Sequence, residues 1–406
     1  MNKIKGTRDY YGIEAKTLKE VFNVLSSLSN NFDLEEIITP TFEKLELFQR
    51  TAGDSSDIVN KEMFTIVDRK ERLLALKPEG TASAVRLALE NKLLELGNKP
   101  RLFYIDSMFR YERPQKGRQR EFFQYGAELF GEEGIVAEIE AIQLATEILN
   151  KLEISKYVLK INTIGTADNR TKYSQALVEY LSDKSEALSS DSKERLNNNP
   201  LRILDSKDEG DIAIVKDAPK LIDFISEENK ERYSEIKDAL TKLGISFEED
   251  QNLVRGLDYY NDFVFEFVST DEEALGSKST IIAGGRYDSL VNKIDSNKEV
   301  PAVGFAAGIE RLILASKSKL VSEEVYDYMI ITSQGAEVEA LKIANNLRKD
   351  NLSVKTNLST QKINKKLQKL DGINFKYLIV LGDNEIETGE YVVKNMDTKE
   401  EIRKNI

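Results

Sequence analysis

Met108-Phe-Arg-Tyr-Glu-Arg-Pro-Gln-Lys-Gly-Arg-Gln-Arg-Glu-Phe-Phe-Gln124 is the stretch on which the reading of this chain turns. Two apolar runs, Leu102-Phe-Tyr-Ile105 and Phe122-Phe-Gln-Tyr125, lie either side of its polar, arginine-rich middle. That pattern predicts an antiparallel hairpin over residues 101–130 with a long basic loop. Arg110, Arg113, Lys116, Arg118 and Arg120 supply the charge. Guanidinium forks match phosphate oxygens bidentately, so the loop suits a polyphosphate or a nucleic-acid end. A solvated basic hairpin is the plainer alternative, because runs of charge usually face water.

Before the hairpin, Leu18, Val21, Phe22, Leu25 and Leu28 recur on one helical face and predict a helix over 14–29. Phe32-Asp-Leu-Glu-Glu-Ile-Ile-Thr-Pro40 reads as a strand stopped by proline. After the hairpin, residues 136–152 read as helix. Residues 166–250 are rich in Lys, Glu, Ser and Asn, with helical periodicity in Ala176–Leu181 and Tyr233–Leu243. Strand patterns return at Val264–Val268 and Thr280–Ala283, before a helix from about Gly308 to Ala315. The tail alternates: strand Tyr328–Thr332, helix Val338–Leu347, a weak strand at Val354, a Lys-rich helix, and strand Tyr377–Leu381. Such alternation predicts a small, partly parallel α/β domain.

The chain has 406 residues, which predicts two or three domains. No apolar run approaches the ~20 residues that span a bilayer. The opening Met1-Asn-Lys-Ile-Lys-Gly6 lacks a signal-peptide core, so a soluble, cytoplasmic protein without a membrane partner is expected. A net charge of −12 argues against non-specific coating of nucleic acid but permits a local basic patch. Cysteine, tryptophan and histidine are all absent. Disulfides, thiolate nucleophiles, imidazole bases and Cys/His zinc sites are thereby excluded.

Three further clusters carry charge beside glycine: Lys77-Pro-Glu-Gly-Thr-Ala82, Val254-Arg-Gly-Leu-Asp-Tyr-Tyr260 and Ala283-Gly-Gly-Arg-Tyr-Asp288. The first reads alone as a helix start, with Pro78 and Glu79 in the first turn. The last could form a phosphate cradle, although two glycines specify little.

Taken in order, these stretches resemble the histidyl-tRNA synthetases over nearly the whole chain. Lys5-Gly-Thr-Arg-Asp-Tyr10 and the run ending at Pro40 resemble the class II motif 1 region. Lys77–Thr81 and Phe109–Gln124 resemble motif 2, and Gly304-Phe-Ala-Ala-Gly-Ile-Glu-Arg311 resembles motif 3. Leu253–Tyr260 and Ala283–Asp288 resemble that family's histidine-site stretches. Arg195-Leu-Asn-Asn-Asn-Pro-Leu-Arg-Ile-Leu-Asp205 resembles its insertion, and Leu381-Gly-Asp-Asn-Glu385 with Val393-Lys-Asn-Met396 its anticodon-binding domain. The chain departs from the usual pattern at Phe123 and near Asn91, where relatives commonly have histidine. It departs again at Ser190, Ser192 and Ser206, where many carry cysteine.

The resemblance implies an α+β fold: a class II antiparallel sheet flanked by helices, a helical insertion and a C-terminal α/β anticodon-binding domain. The expected boundaries are 1–165 and 251–320 for the catalytic core, 166–250 for the insertion and 325–406 for the tail. It implies a homodimeric ligase that takes L-histidine, ATP with accompanying Mg2+, and histidine tRNA, with no protein metal site. Arg110 and Arg255 would be catalytic. Glu79 and Gln124 would bind the amino acid's ammonium group, with Thr81 beside them. Glu128, Tyr260 and Tyr287 would read its imidazole, with Tyr259 lining the pocket; Gly80, Arg110 and Arg255 would also belong to the histidine site. Arg110, Glu112, Arg118, Phe122 and Arg311 would bind ATP. Lys362, Lys365, Lys366 and Lys369 would track the anticodon stem or simply solubilise the surface. A non-catalytic, histidine-binding regulatory paralogue of histidine biosynthesis is the main alternative, though such relatives lack the anticodon domain. A tRNA-sensing module of a larger regulator is a third, and no kinase signature supports it.

Overall fold

The computed structural model describes the chain apart from residues 54–57, 96, 205, 207, 255, 256, 258, 277, 278, 318, 319 and 322–324, and apart from the side chains at 58, 60 and 197. It divides into two compact units, Met1–Leu320 and Val321–Ile406.

The first unit opens with α1 (Gly12–Asn31), which buries Leu18, Val21, Leu25 and Ser29 along the stripe anticipated from their spacing. β1 (Glu35–Glu36), β2 (Phe42–Lys44), α2 (Leu45–Ala52), β3 (Thr65–Val67), β4 (Leu73–Leu76) and α3 (Thr81–Glu90) follow. The basic hairpin is β5 (Arg101–Phe109) and β6 (Glu121–Phe130), paired antiparallel from Arg101 opposite Leu129 to Phe109 opposite Glu121. Next come α4 (Val136–Lys151) and β7 (Tyr157–Thr163), then the helices α5 (Ala167–Ser182), α6 (Ser190–Asn198), α7 (Glu209–Val215) and α8 (Glu227–Lys242). β8 (Glu248–Glu249), β9 (Phe263–Ser269), α9 (Glu272–Leu275), β10 (Thr280–Arg286), α10 (Ser289–Ile294), β11 (Ala302–Gly308) and α11 (Ile309–Ala315) complete it.

Among the described residues, eight strands form one sheet in the order β1-β5-β6-β11-β10-β9-β7-β8. Its interior pairs are antiparallel, and only the edge pairs β1/β5 and β7/β8 are parallel. One face packs on α1 and α4 through residues such as Leu25, Ile142, Ile148, Phe263, Phe265 and Phe267. Each such side chain taken from water contributes about 1.5–3 kcal/mol. The helical stretch is not set apart from this core. Tyr233, Ile236 and Leu240 of α8 join the same cluster, while Tyr173, Leu177 and Leu181 of α5 pack with Leu102, Tyr259, Tyr260 and Tyr287 on the sheet's other face.

The strand expected over Phe32–Pro40 is mostly absent. Only Glu35 and Glu36 pair, opposite Leu102 and Phe103, and Thr39 is drawn elsewhere. The Lys77 ammonium, fully buried, donates to the Thr39 carbonyl at 3.1 Å and hydroxyl at 3.0 Å, and it is ion-paired with Asp106. The Lys77 backbone joins the same regions, its N–H donating to Thr41 O and its carbonyl accepting from Phe109 N. One lysine thus ties the run before Pro40 to β5 and to the start of α3.

In the second unit, β12 (Val325–Thr332), β13 (Val354–Asn357) and β14 (Asn374–Leu381) are parallel, β15 (Glu390–Asn395) adds antiparallel to β14, and β16 (Glu401–Asn405) antiparallel to β15. α12 (Glu337–Lys349), α13 (Ile363–Gln368) and α14 (Asp383–Thr388) connect them. α13 is the Lys-rich helix, but Lys366 does not join a basic surface. It is buried and donates to the carbonyls of Thr332 (2.6 Å) and Asn357 (3.2 Å), closing the ends of β12 and β13. The sequence pattern of four lysines overlooked that one of them points inward.

Removing one member of a buried ion pair strands the other. Lys77→Ala is expected to destabilise the first unit by about 2–4 kcal/mol, less in combination with Asp106→Ala than the two losses summed. Denaturant unfolding of the three variants checks this.

Candidate active site

The site is built on the β5–β6 hairpin. Gln124, Gly126 and Glu128 alternate onto one face of β6. Tyr104 of β5 stands opposite Gly126, and its ring fills the space that a Cβ on Gly126 or Gly80 would need. Glu128 stands opposite Gly304 of β11, where a Cβ would overlap its carboxylate. Glycine at these positions is what lets a tyrosine and a glutamate lie flat on the sheet.

The start of α3 meets this face. Glu79 accepts from the backbone N–H groups of Thr81 (2.7 Å) and Ala82 (2.9 Å), a carboxylate at the positive end of a helix. It therefore precedes the helix rather than lying in its first turn. Gln124 Oε1 accepts from Gly80 N at 3.1 Å and shares with Glu128 the single proton of the Tyr104 hydroxyl, 3.3 Å away. Glu128, fully buried, accepts from the hydroxyls of Thr81 (2.7 Å), Tyr104 (3.4 Å) and Tyr287. Tyr259, Tyr260 and Tyr287 are mutually packed, with centroids 4.6, 5.6 and 6.4 Å apart. Burial pushes the Glu128 carboxyl up to about 8, against the lowering effect of the hydroxyls that donate to it. Burial raises Glu79 as well, and it lifts the phenols of Tyr104, Tyr259 and Tyr287 well above their ordinary value. The result is a dry compartment rich in acceptors and phenols, suited to a small ligand bearing N–H donors.

Beside it, guanidiniums converge. Arg110 Nε donates to the Pro78 carbonyl at 2.8 Å, and its guanidinium carbon lies 5.3 Å from the centre of the Phe122 ring. Glu112 sits 3.8 Å from Arg110 and 3.2 Å from Arg118. Arg311 is held by the carbonyls of Gly117 (3.1 Å) and Thr280 (2.6 Å). Burial, with the like charges of Arg118 and Arg110, brings Arg311 down to about 10 despite Glu112. Three guanidiniums held together around one carboxylate favour an anion between them. The remaining cations of the loop brace it: Arg120 lies 3.9 Å over the Tyr111 ring, and Lys116 donates to the Glu273 carbonyl.

The structure thus brings Glu79, Gly80, Thr81, Gln124, Glu128, Tyr259, Tyr260 and Tyr287 to one compartment, with Arg110, Glu112, Arg118, Phe122 and Arg311 on its flank. Arg255 lies outside the described residues, as do Gly256 and Asp258 beside it. The phosphate-cradle reading of Ala283–Asp288 is overturned. Gly284 and Gly285 are interior strand residues packed against β9 and β11, and Arg286 is buried against Glu138 at 2.7 and 2.9 Å. Two participants escaped the sequence reading. Tyr104 sits in an apolar run that reads as core. Glu310 precedes Arg311 and is buried where it accepts from Phe123 N (3.0 Å) and the Tyr10 hydroxyl (2.9 Å), so the start of the chain, β6 and α11 are joined. Its place within the motif 3 stretch was its only signal.

An enzyme that activates an amino acid for tRNA needs a selective pocket and a polyphosphate site held side by side by one rigid scaffold. An antiparallel sheet carrying both is the arrangement of a class II aminoacyl-tRNA ligase, and the comparisons with known proteins agree. Residues 6–312 match the family model for histidyl-tRNA synthetase, and residues 327–406 match that of an anticodon binding domain. A histidine–tRNA ligase of Thermosipho melanesiensis is 42% identical across 98% of this chain and 95% of its own. One from Lactococcus lactis subsp. cremoris is 40% identical across 99% and 94%. The apo histidyl-tRNA synthetase of S. aureus superposes with a TM-score of 0.80 at 33% identity, over 100% of this chain and 97% of that one. The chain belongs to the histidyl-tRNA synthetase family.

Glu128 makes the unliganded site sensitive to pH. In the folded chain its carboxyl keeps a proton up to about pH 8, whereas unfolded it would release it near 4.5. Its contribution to stability is then full below pH ~4.5 and is lost as the pH climbs towards ~8, at about 1.4 kcal/mol per pH unit. Thermal melts of the wild type and Glu128→Gln should diverge in the variant's favour between pH 5 and 8 and run parallel above. A difference that does not change with pH would mean the carboxylate is already ionised at pH 5.

Proposed function

We propose that this chain ligates histidine to its tRNA in two steps, and that the compartment around Glu128 selects the amino acid. The observation that carries the reading is a fully buried glutamate whose described donors are all neutral hydroxyls, beside a cluster of guanidiniums. An imidazole N–H offers Glu128 a donor at little cost in desolvation, with Tyr260 and Tyr287 at the second nitrogen and Tyr259 along the wall. Glu79 and Gln124, beside Thr81 and over Gly80, take the ammonium group. A pocket that hydrogen-bonds its substrate in this way rejects analogues by ~10⁴-fold or more, because a mismatch leaves buried polar groups unpaired.

The histidine carboxylate then attacks the α-phosphorus of ATP, forming an O–P bond as the bond to pyrophosphate breaks. Arg110 holds the α-phosphate while Arg118 and Arg311 hold the outer phosphates that Mg2+ accompanies. Glu112 orients the two hairpin arginines, and Phe122 offers a face to adenine. Arg255 stabilises charge as it develops on phosphorus, a role taken from the resemblance. Cations preorganised towards developing charge are among the larger catalytic effects, and adenylate formation needs positioning more than proton transfer. That suits a chain without histidine. In the second step the terminal adenosine hydroxyl of the tRNA attacks the activated carbonyl, releasing AMP and the hydroxyl proton.

We assign 1–165 and 251–320 to the catalytic core, 166–250 to its helical insertion and 325–406 to anticodon binding. In the tail, Lys362, Lys365 and Lys369 are left to approach the anticodon stem. A homodimer is proposed from the exposed Ile38 and Phe42 in and after the stretch that resembles motif 1. The reaction is placed in the cytoplasm, where ATP and tRNA are both available. Among the described residues no helix is long and apolar enough to cross a membrane. The regulatory alternative fits less well, because the ATP-side arginines and the tail are both present.

Pyrophosphate exchange with each of the twenty amino acids, ATP and Mg2+, without tRNA, tests this. Exchange with histidine alone is expected, and Arg255→Ala should lower its rate by a large factor while leaving the melting temperature unchanged. Histidine binding without exchange would support the regulatory alternative instead.

A further inference from the structure

Behind the tyrosine wall lies a second group of charges. Arg286 forms a bidentate pair with Glu138 and also donates to Asp288 (3.0 Å) and to the carbonyls of Glu132 (3.1 Å) and Gly134 (3.0 Å). Glu138 is fully buried and takes a second guanidinium, Arg232 of α8. Arg232 also donates to the carbonyls of Glu133 (2.9 Å) and Gly134 (3.0 Å), and its Nε lies 2.9 Å from Asp262.

The places where these groups enter the chain give the cluster its meaning. Arg286 and Asp288 bracket Tyr287. Asn261 and Asp262 directly follow Tyr259 and Tyr260. Asn261 latches the two segments together: its N–H donates to Arg286 O (2.8 Å), and its side-chain oxygen accepts from Asp288 N (2.7 Å). Asp262 has φ +60°, a left-handed backbone that a non-glycine residue keeps only when its surroundings enforce it. Here Thr163 (3.1 Å) and Asn229 of α8 (3.0 Å) donate to its carboxylate, and Arg232 faces the other oxygen. Both segments that carry pocket tyrosines are therefore anchored, from behind, to a helix of the 166–250 stretch.

We propose that Arg232 is a positioning residue for the amino-acid pocket: from α8 it holds, through Glu138 and Asp262, the segments that place Tyr260 and Tyr287. This rests on the reading of that pocket as the histidine site. Arg232 reaches no substrate and acts only through the tyrosines. Without it, Asp262 loses its cation, the left-handed turn after Tyr260 relaxes, and Glu138 keeps Arg286 alone. The guanidinium clusters of the ATP side lie on the hairpin and α11 and share none of these contacts. Losing Arg232 should therefore weaken histidine and leave ATP alone.

The test is steady-state pyrophosphate exchange with full-length wild type, Arg232→Ala, Arg232→Lys and Asn261→Ala, varying histidine and ATP separately. The wild type must first saturate with histidine; if it does not, the pocket reading itself fails, whatever the variants do. Given saturation, Arg232→Ala should raise the KM for histidine tenfold or more while the KM for ATP stays within twofold. Arg232→Lys should recover most of the loss. Should Arg232→Ala not fold, Asn261→Ala removes the side-chain half of the latch, leaving its N–H on Arg286, and should show the same split in a smaller measure. Unchanged KM values, or a parallel rise in both, would overturn the proposal and leave Arg232 as a structural residue only.

Discussion

Everything at this site depends on holding a carboxyl group away from water without a described cation beside it. Glu128 has no exposure and three hydroxyl donors, and its proton affinity rises accordingly. Such a group is costly to bury unless its lone pairs are satisfied. The hydroxyls of Thr81, Tyr104 and Tyr287 satisfy it in part and leave it avid for a further donor. The glycines follow from the same demand. Gly304 makes room for Glu128, while Gly80 and Gly126 make room for the Tyr104 ring that shields it. On the proposed reading, selectivity comes from an acceptor that only the right N–H donor relieves.

The flank proposed for ATP solves the opposite problem. Arg110, Arg118 and Arg311 repel one another, and Glu112, 3.8 Å from Arg110 and 3.2 Å from Arg118, offsets only part of that repulsion. Backbone carbonyls hold two of them in place as well: Pro78 for Arg110, and Gly117 and Thr280 for Arg311. Because these carbonyls belong to the hairpin loop, to β10 and to the segment before α3, the cations are placed without any bound anion. Lys77 and Glu310 perform a related task lower in the structure, each joining three distant stretches of chain. A rigid scaffold of this sort supplies the orientation that adenylate formation requires.

Much of this was legible in the sequence where periodicity or charge was strong. The hairpin, α1, β9, β10 and the alternating tail followed from apolar spacing, and the pocket residues from the ordered likeness to one family. What escaped did so for physical reasons. β11 was unread because Gly304, Ala306, Ala307 and Gly308 have weak strand propensity, yet the glycine opposite Glu128 is required there. The run to Pro40 looked like a strand because nothing local reveals that Lys77 will claim the Thr39 carbonyl. Lys366 read as surface charge because six residues of helix carry too little pattern to show which side faces in. The brace of Arg232, Glu138, Arg286 and Asp262 joins residues up to 148 apart, beyond any local signal.

The central claim, that Glu128 reads the imidazole, is most directly tested by nitrogen-15 magnetic resonance of ring-labelled histidine bound to the protein. The account predicts two distinct, fixed ring nitrogens, one of them a hydrogen-bonded N–H whose resonance moves in Glu128→Gln. Ring signals identical in the wild type and in that variant would contradict it.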